Sequence, residues 1–263
     1  MELISGKLHT LIQPGILDVK QKLREGWTKK EVKRTEIHVS DLMYCKRQKC
    51  FERIDDNPNP QPINNKKLMY FFGGQSLHRG IAEILGDEFE YEKEIVWNGD
   101  GGIDIIGHPD AIWKQDHVIV EVKSTTSAGV LKKPFKNHVH QISAYIAMTG
   151  APYGKLFYII LGQPDIKNPF PEYLISLTNE EREKILTDLE NDALELQRGI
   201  DSKSPENVSH IAFDKSYKNK LGFNWLCAEC VFYDRCLEMI AKDGEPAKPL
   251  VQISGHIFGT EYT

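Results

Sequence analysis

Apolar and polar positions along the 263-residue chain follow two periods, and each change of period marks an element. The N-terminal part up to about Asp55 reads as helical, with Lys-rich exposed positions. DDNPNPQPINN follows, a Pro- and Asn-rich loop. Residues 66–86 place Leu68, Phe71, Phe72, Leu77, Ile81 and Ile84 in a helical pattern that stops before Gly86. Gly73-Gly74 weakens the middle of that helix by about 1 kcal/mol per Gly relative to Ala, or marks close packing. Three strands come next: EFEYEKEIVW, IDIIGHPDAIW and HVIVEVKST. NGDGG joins the first two, a hairpin signal, and KQD joins the second to the third. A helix is expected from about Asn137 to Thr149, stopped by Gly150. KLFYIIL reads as a buried strand and EYLISL as one more. The last clear helix runs from Thr178 to about Arg198. It opens on the capping box Thr178-x-x-Glu181 and carries the stripe Ile185, Leu189, Ala193, Leu196. No internal repeat is present.

Composition makes this an ordinary globular chain. It is 40% hydrophobic and 27% charged, which excludes a mostly disordered or fibrous protein. Its length suits one domain with a decoration. The formal net charge of -5 excludes a generic polycation that coats nucleic acid. The charge is uneven, however. Residues 1–50 hold eleven Lys/Arg against six Asp/Glu, residues 80–120 hold two against ten, and residues 122–140 hold four Lys and no acid. An acidic segment is thus bracketed by basic ones. The longest unbroken apolar run is Leu156 to Leu161, too short to span a bilayer. MELISGKLHT has none of the features of a secretory signal, so a cytoplasmic protein is expected.

Pro109-Asp110 precedes Glu121-Val122-Lys123 by ten residues. Asp110 falls near the end of one expected strand and Glu121 on the next, and neighbouring strands lie about 5 Å apart. Both carboxylates therefore reach one cation. Glu121 and Lys123, two apart in a strand, share a face, while Val122 points to the other. Two carboxylates hold Mg²⁺ or Mn²⁺, hard ions that prefer oxygen. Such an ion polarises a phosphate and lowers the pKa of a bound water. Lys123 can position that water or neutralise charge on the phosphate. His78, in GGQSLHRG, is a candidate nitrogen ligand. Gln141 and Tyr145, four apart on the next helix, share a face suited to contact with a phosphate or a base.

Five cysteines are too few for a disulfide scaffold. Cys227-x2-Cys230-x5-Cys236 is a close thiolate cluster, suited to Zn²⁺ or an iron–sulfur cluster. A fourth ligand is needed, and Cys45 and Cys50 are the candidates.

His78, GHPD ending in Asp110, EVK from Glu121 to Lys123, and QISAY from Gln141 to Tyr145 resemble, in order and context, the RecB-type nucleases of the PD-(D/E)XK superfamily. The segment Ser40-Asp41-Leu42-Met43-Tyr44-Cys45-Lys46-Arg47, with three downstream Cys, resembles their iron–sulfur members. The stand-alone form is similar to the fourth core CRISPR-associated protein family. The resemblance implies an α/β fold: a restriction-endonuclease-like PD-(D/E)XK core, a central mixed sheet flanked by helices, with a helical iron–sulfur lid built from both chain ends. Residues 1–60 would form the N-terminal lid, 61–205 the nuclease core, and 206–263 the cluster-binding segment packed on the lid.

It implies His78, Asp110, Glu121 and the Val122 carbonyl as Mn²⁺ or Mg²⁺ ligands, Lys123 as the catalytic lysine, and Gln141 and Tyr145 as the substrate-orienting pair. It implies Cys45, Cys227, Cys230 and Cys236 as ligands of a 4Fe-4S cluster, with 2Fe-2S or zinc as alternatives and Cys50 spare. The implied activity is 5′-to-3′ exonuclease action on single-stranded DNA, trimming spacer precursors beside the CRISPR adaptation integrase. Lys132, Lys133 and Lys136 are candidate phosphate contacts on the strand's path. A cluster joining Cys45 to Cys227 across 181 intervening residues would close a long loop and hold the lid on the core. The alternatives are a viral or phage homologue acting in recombination or replication, an inactive metal-stabilised DNA-binding module, and a zinc-stabilised adaptor.

Overall fold

The computed structural model describes residues 36–54, 73–74, 76–77, 80–81, 83, 86–162, 165–210, 227, 230–243 and 256–259. His78, the whole 55–65 loop and the first 35 residues lie outside them. The elements are β1 (Ile37–His38), α1 (Val39–Leu42), α2 (Lys46–Ile54), β2 (Phe89–Tyr91), β3 (Ile95–Asn98), β4 (Asp104–Gly107), β5 (Ala111–Trp113) and β6 (Val118–Thr125). They continue with α3 (Lys136–Thr149), β7 (Tyr153–Ile160), β8 (Glu172–Ser176), α4 (Asn179–Asp201), α5 (Tyr233–Asp243) and β9 (His256–Gly259). The described residues of 73–83 are helical.

The strands form two sheets. The larger has the order β2-β5-β6-β7-β8-β9, and the smaller has the order β1-β4-β3. β6 and β7 are parallel, as the crossover through α3 requires, and the other pairs of the larger sheet are antiparallel. The fold is therefore mixed α/β with central mixed sheets and flanking helices.

The expected strands over 88–97 and 103–113 are each two strands. The hairpin between them is real, but it bends from one sheet into the other. β3 pairs with β4 from Ile95↔Gly107 to Asn98↔Asp104, and β2 pairs with β5 from Phe89↔Trp113 to Tyr91↔Ala111. The break has two local causes. Glu92 sits at φ 44°, off the extended conformation. Pro109 has no N–H to give the ladder. The Glu92 amide donates to the Asp110 carbonyl at 3.3 Å and closes the bend. The N-terminal part is also not helical throughout, because Ile37–His38 adds to β4 as a parallel strand. β9 adds to β8, so four residues of the expected cluster-binding segment extend the larger sheet.

α3 ends at Gly150, whose φ of 71° is a left-handed cap. It lies tight on β7: a Cβ on Gly154 would fall 2.8 Å from Ile142 Cδ1 and 2.9 Å from Ile146 Cδ1. α4 opens on the expected box, with the Glu181 amide donating to Thr178 Oγ1 at 3.2 Å and the Thr178 amide to Glu181 Oε2 at 2.8 Å. Its stripe Ile185, Leu189, Ala193 and Leu196 is buried. Arg182 donates to the Ile146 and Ala151 carbonyls at the end of α3, which joins the two helices.

α2 docks on α4. Lys46 pairs with Asp192 and, at 2.6 Å, with Glu195. Arg47, 3% exposed, donates from Nε to the Val208 carbonyl at 2.7 Å and from Nη2 to the Glu206 carbonyl at 3.2 Å. Among the described residues no helix is long and apolar enough to cross a membrane.

Candidate active site

The bend in the hairpin builds the site. β4 ends at Gly107, His108-Pro109 makes the turn, and Asp110 immediately precedes β5. β5 pairs with β6 in the register Ala111↔Val120, which brings Asp110 beside Glu121. The Val122 amide donates to Asp110 Oδ2 at 2.7 Å, so a backbone bond holds this carboxylate at the neighbouring strand.

Glu121 is 1% exposed. Lys123 Nζ donates to Glu121 Oε1, as their shared strand face predicts. Glu121 Oε2 is buried and has no hydrogen-bond partner. Burial pushes the Glu121 carboxyl up to about 7; Lys123 pulls it down, and the nearby Asp110 charge pushes it up again. Burial alone would lower the Lys123 pKa, but the charges of Glu121 and Asp110 outweigh it and hold the ammonium above its ordinary value. The cation is therefore secure and the buried acid is under-neutralised.

Gln141 and Tyr145 look onto this set from α3. Gln141 Nε2 donates to the Tyr145 hydroxyl at 3.0 Å. Tyr145 is 3% exposed, and its pKa is raised by burial and by the Glu121 charge. Its ring lies against the strand leading to Asp110: a Cβ on Gly107 would fall 2.8 Å from Tyr145 Cε1. Lys132, Lys133 and Lys136 are exposed on the connection from β6 into α3 and its first residue. That connection leaves the C-terminal end of β6, the edge of parallel strands where ligands usually sit.

Two residues that the sequence pattern does not single out face the same region. His138 Nδ1 is 2.9 Å from the Tyr158 hydroxyl, and burial and then the Lys123 charge press its pKa down to about 4. The one signal for His138 in the sequence is its place three residues before Gln141.

The thiols separate in space. Cys50 is fully buried between α2 and α4, and its Sγ lies 3.3 Å from where a Cβ on Gly199 would fall. Burial and then the Glu206 charge push its pKa up to about 11. Cys45, Cys227, Cys230 and Cys236 are half-buried. Burial, and among further causes the charge of Cys45, raise the pKa of both Cys230 and Cys236. The Cys230 amide donates to the Cys227 carbonyl at 3.2 Å, and Arg47 Nη1 lies 3.9 Å from Cys236 Sγ. Phe51 of α2 stacks on Phe232 at 5.0 Å, which binds the cysteine-bearing segment to the N-terminal helix. Among the described residues no three His, Cys, Asp or Glu side chains form a group that could hold a metal ion as they stand.

The fold is similar to that of SSO0001, whose crystal structure aligns at TM-score 0.58 and 24% identity, over 86% of this chain and 96% of that one. A phage-related exonuclease from Haemophilus somnus 129PT aligns at TM-score 0.48 and 12% identity, over 64% of this chain and 96% of that one. The alkaline exonuclease LHK-Exo from Laribacter hongkongensis aligns at 0.46 and 15% identity, over 68% and 97%. No family model matches the chain, and no curated protein does. The likeness to SSO0001 is one of fold.

Proposed function

We propose that the chain is a divalent-metal-dependent deoxyribonuclease, an exonuclease on single-stranded DNA with 5′-to-3′ polarity. One observation carries the reading. Asp110 and Glu121 are brought together at the β5–β6 junction with Lys123 on the same face, and one oxygen of the buried Glu121 has no protein partner. A buried carboxylate oxygen left unpartnered in a native fold calls for a ligand, and Mg²⁺ or Mn²⁺ is the ligand whose chemistry suits two carboxylates. Asp110, Glu121 and the Val122 carbonyl would hold it, with His78 as a fourth donor. When bound, the ion supplies polarisation of the scissile phosphate and acidification of a water.

The chain's own groups do the rest. Lys123, kept cationic by its acid neighbours, neutralises negative charge that develops on the phosphate. Tyr145 and Gln141, already bonded to each other, present hydroxyl and amide groups to the strand. The exposed Lys132, Lys133 and Lys136 supply phosphate contacts beside them.

Cys45, Cys227, Cys230 and Cys236 are proposed to hold a 4Fe-4S cluster that binds the N-terminal helices to the C-terminal segment; zinc is the alternative. The donor set is four half-buried thiols at the two chain ends, with Cys45 felt electrostatically by Cys230 and Cys236. The biological setting carried by the resemblance is spacer-precursor trimming with the CRISPR adaptation integrase.

The test is anaerobic purification followed by cleavage of end-labelled single- and double-stranded DNA with Mn²⁺, using Asp110→Ala as control. A brown protein that shortens single strands, and loses this with the substitution, is expected. A colourless preparation equal in activity to its Asp110→Ala variant would overturn the proposal.

A further inference from the structure

We propose that His138 is a substrate-positioning residue whose Nε2–H donates to a backbone phosphate oxygen of the bound strand. The inference rests on the nuclease reading above and adds a residue to its binding face.

The argument begins with where protons go. The Phe135 amide donates to the Tyr158 hydroxyl oxygen at 3.0 Å, so that oxygen is already an acceptor. Tyr158 is fully buried, and its own proton needs an acceptor. The group in place is His138 Nδ1 at 2.9 Å. With Nδ1 accepting, the neutral imidazole carries its proton on Nε2. The ring is also fixed in place. Phe135 meets it edge-on at 5.5 Å and meets the Tyr158 ring edge-on at 6.2 Å. His138 is half-buried, and among the described residues the hydrogen bond its ring makes is the one through Nδ1, which leaves the Nε2 proton for a ligand.

Position gives that donor its use. His138 lies three residues before Gln141 and seven before Tyr145 on α3, so all three share one helical face. It is near enough to Lys123 for the ammonium to help keep the ring uncharged. A neutral ring beside Lys123 adds a hydrogen bond without adding a second positive charge. The ligand that matches a cation, a neutral N–H and a row of exposed lysines is a phosphodiester backbone. His138 with Nδ1 engaged is not placed to take a proton from water, so its effect falls on binding.

The experiment measures KM and kcat on end-labelled single strands with Mn²⁺ for the full chain and for His138→Ala, His138→Gln and Tyr158→Phe. It also measures DNA affinity by fluorescence anisotropy in Ca²⁺ on an Asp110→Asn background, over a range of salt. His138→Ala is expected to raise KM and Kd about ten- to a hundred-fold, the worth of one hydrogen bond to a charged acceptor. Its kcat should move less than about two-fold, since an interaction made equally in ground and transition states acts on KM. His138→Gln, which retains an N–H donor, should recover most of the loss. Tyr158→Phe should weaken binding in the same direction by releasing the tautomer.

The salt slope of log Kd should stay unchanged in His138→Ala, whereas Lys132→Ala should reduce it by about one phosphate contact. Unchanged KM and Kd in His138→Ala, a Gln variant no better than Ala, or a reduced salt slope would each overturn the proposal. Wild-type protein that binds DNA without cleaving it would sink the nuclease reading and leave the His138 test standing on affinity. Wild-type protein that neither binds nor cleaves would sink both.

Discussion

The Val122 amide donates to the Asp110 carboxylate at 2.7 Å, so the strand that presents Glu121 also fixes the other acid. Two substitutions at Asp110 therefore separate charge from geometry. Asp110→Asn keeps an acceptor for the amide and loses the charge. Asp110→Ala loses both and leaves a part-buried N–H without its partner, at a cost of about 1–3 kcal/mol. Both variants should lose at least about a hundred-fold in cleavage, the scale expected when a key electrostatic group is removed. Only the Ala variant should show a clearly lower urea midpoint. Equal stability of the two would mean that the Val122–Asp110 bond contributes nothing to the fold.

Gly107 couples strand packing to the site. A Cβ there would fall 2.8 Å from Tyr145 Cε1 and 2.9 Å from Ile95 Cγ1, so Gly107→Ala must move the tyrosine. Gly154 is the control. Its Cβ would press on Ile142 and Ile146 of the same helix, and neither side chain belongs to the site. Both substitutions overpack a core and should cost about 1–3 kcal/mol. Gly107→Ala should in addition lower kcat about ten-fold or more, because a displaced positioning group is costly. Denaturation midpoints and single-turnover cleavage on the two variants check this, and equal kcat values would remove Tyr145 from the site.

Much of this was legible because it is local. The capping box of α4 and its buried stripe follow from side chains three and four residues apart. Glu121 and Lys123 meet because period-two geometry puts them on one face, and the short KQD turn puts Asp110 beside them. The split of the NGDGG hairpin into two sheets was not legible. It depends on Glu92 leaving the extended region and bonding to Asp110, a contact between residues far apart in sequence. His138 was hidden for a similar reason, because its tautomer is set by Tyr158 on the next strand. β9 is four residues whose pattern says little until β8 offers an edge.

The upstream cysteines follow the same logic, since spacing alone left both open as ligands. Helix α2 carries Cys50 inward, against Gly199 near the end of α4, and leaves Cys45 just before its start, near Cys230 and Cys236. Cys50→Ala should keep the brown colour that the proposed cluster would give anaerobically purified protein, with a loss of roughly 1 kcal/mol from the small core cavity. Cys45→Ser should bleach it and lower the melting temperature further. A bleached Cys50→Ala beside a coloured Cys45→Ser, read by visible absorption, would reverse the assignment.

Acid stability should be governed by histidines in α3. His140 is 8% exposed, and burial presses its pKa to about 4; the Asp188 charge offsets this only in part. The unfolded chain binds a proton on this residue near its ordinary pKa of about 6.5. Its contribution is thus fully present above about 6.5 and is lost as pH falls towards 4, to a total of about 3 kcal/mol. His138 is depressed in the same way and acts with the same sign. Glu121 acts against them. Its carboxyl is pushed up to about 7, so the folded state holds a proton that the unfolded state releases, and its contribution is lost as pH rises through that value.

Between about pH 4.5 and 6.5 the unfolded chain therefore binds roughly one proton more than the fold through these three groups, and they favour stability that rises with pH. His140→Gln removes one of the two opposing histidines and should flatten the rise by close to one proton. Adding Glu121→Gln to it should restore the slope, because His138 is then unopposed. Urea midpoints measured across that range on the metal-free protein read the difference directly, and a His140→Gln curve parallel to wild type would show that His140 is not buried uncharged.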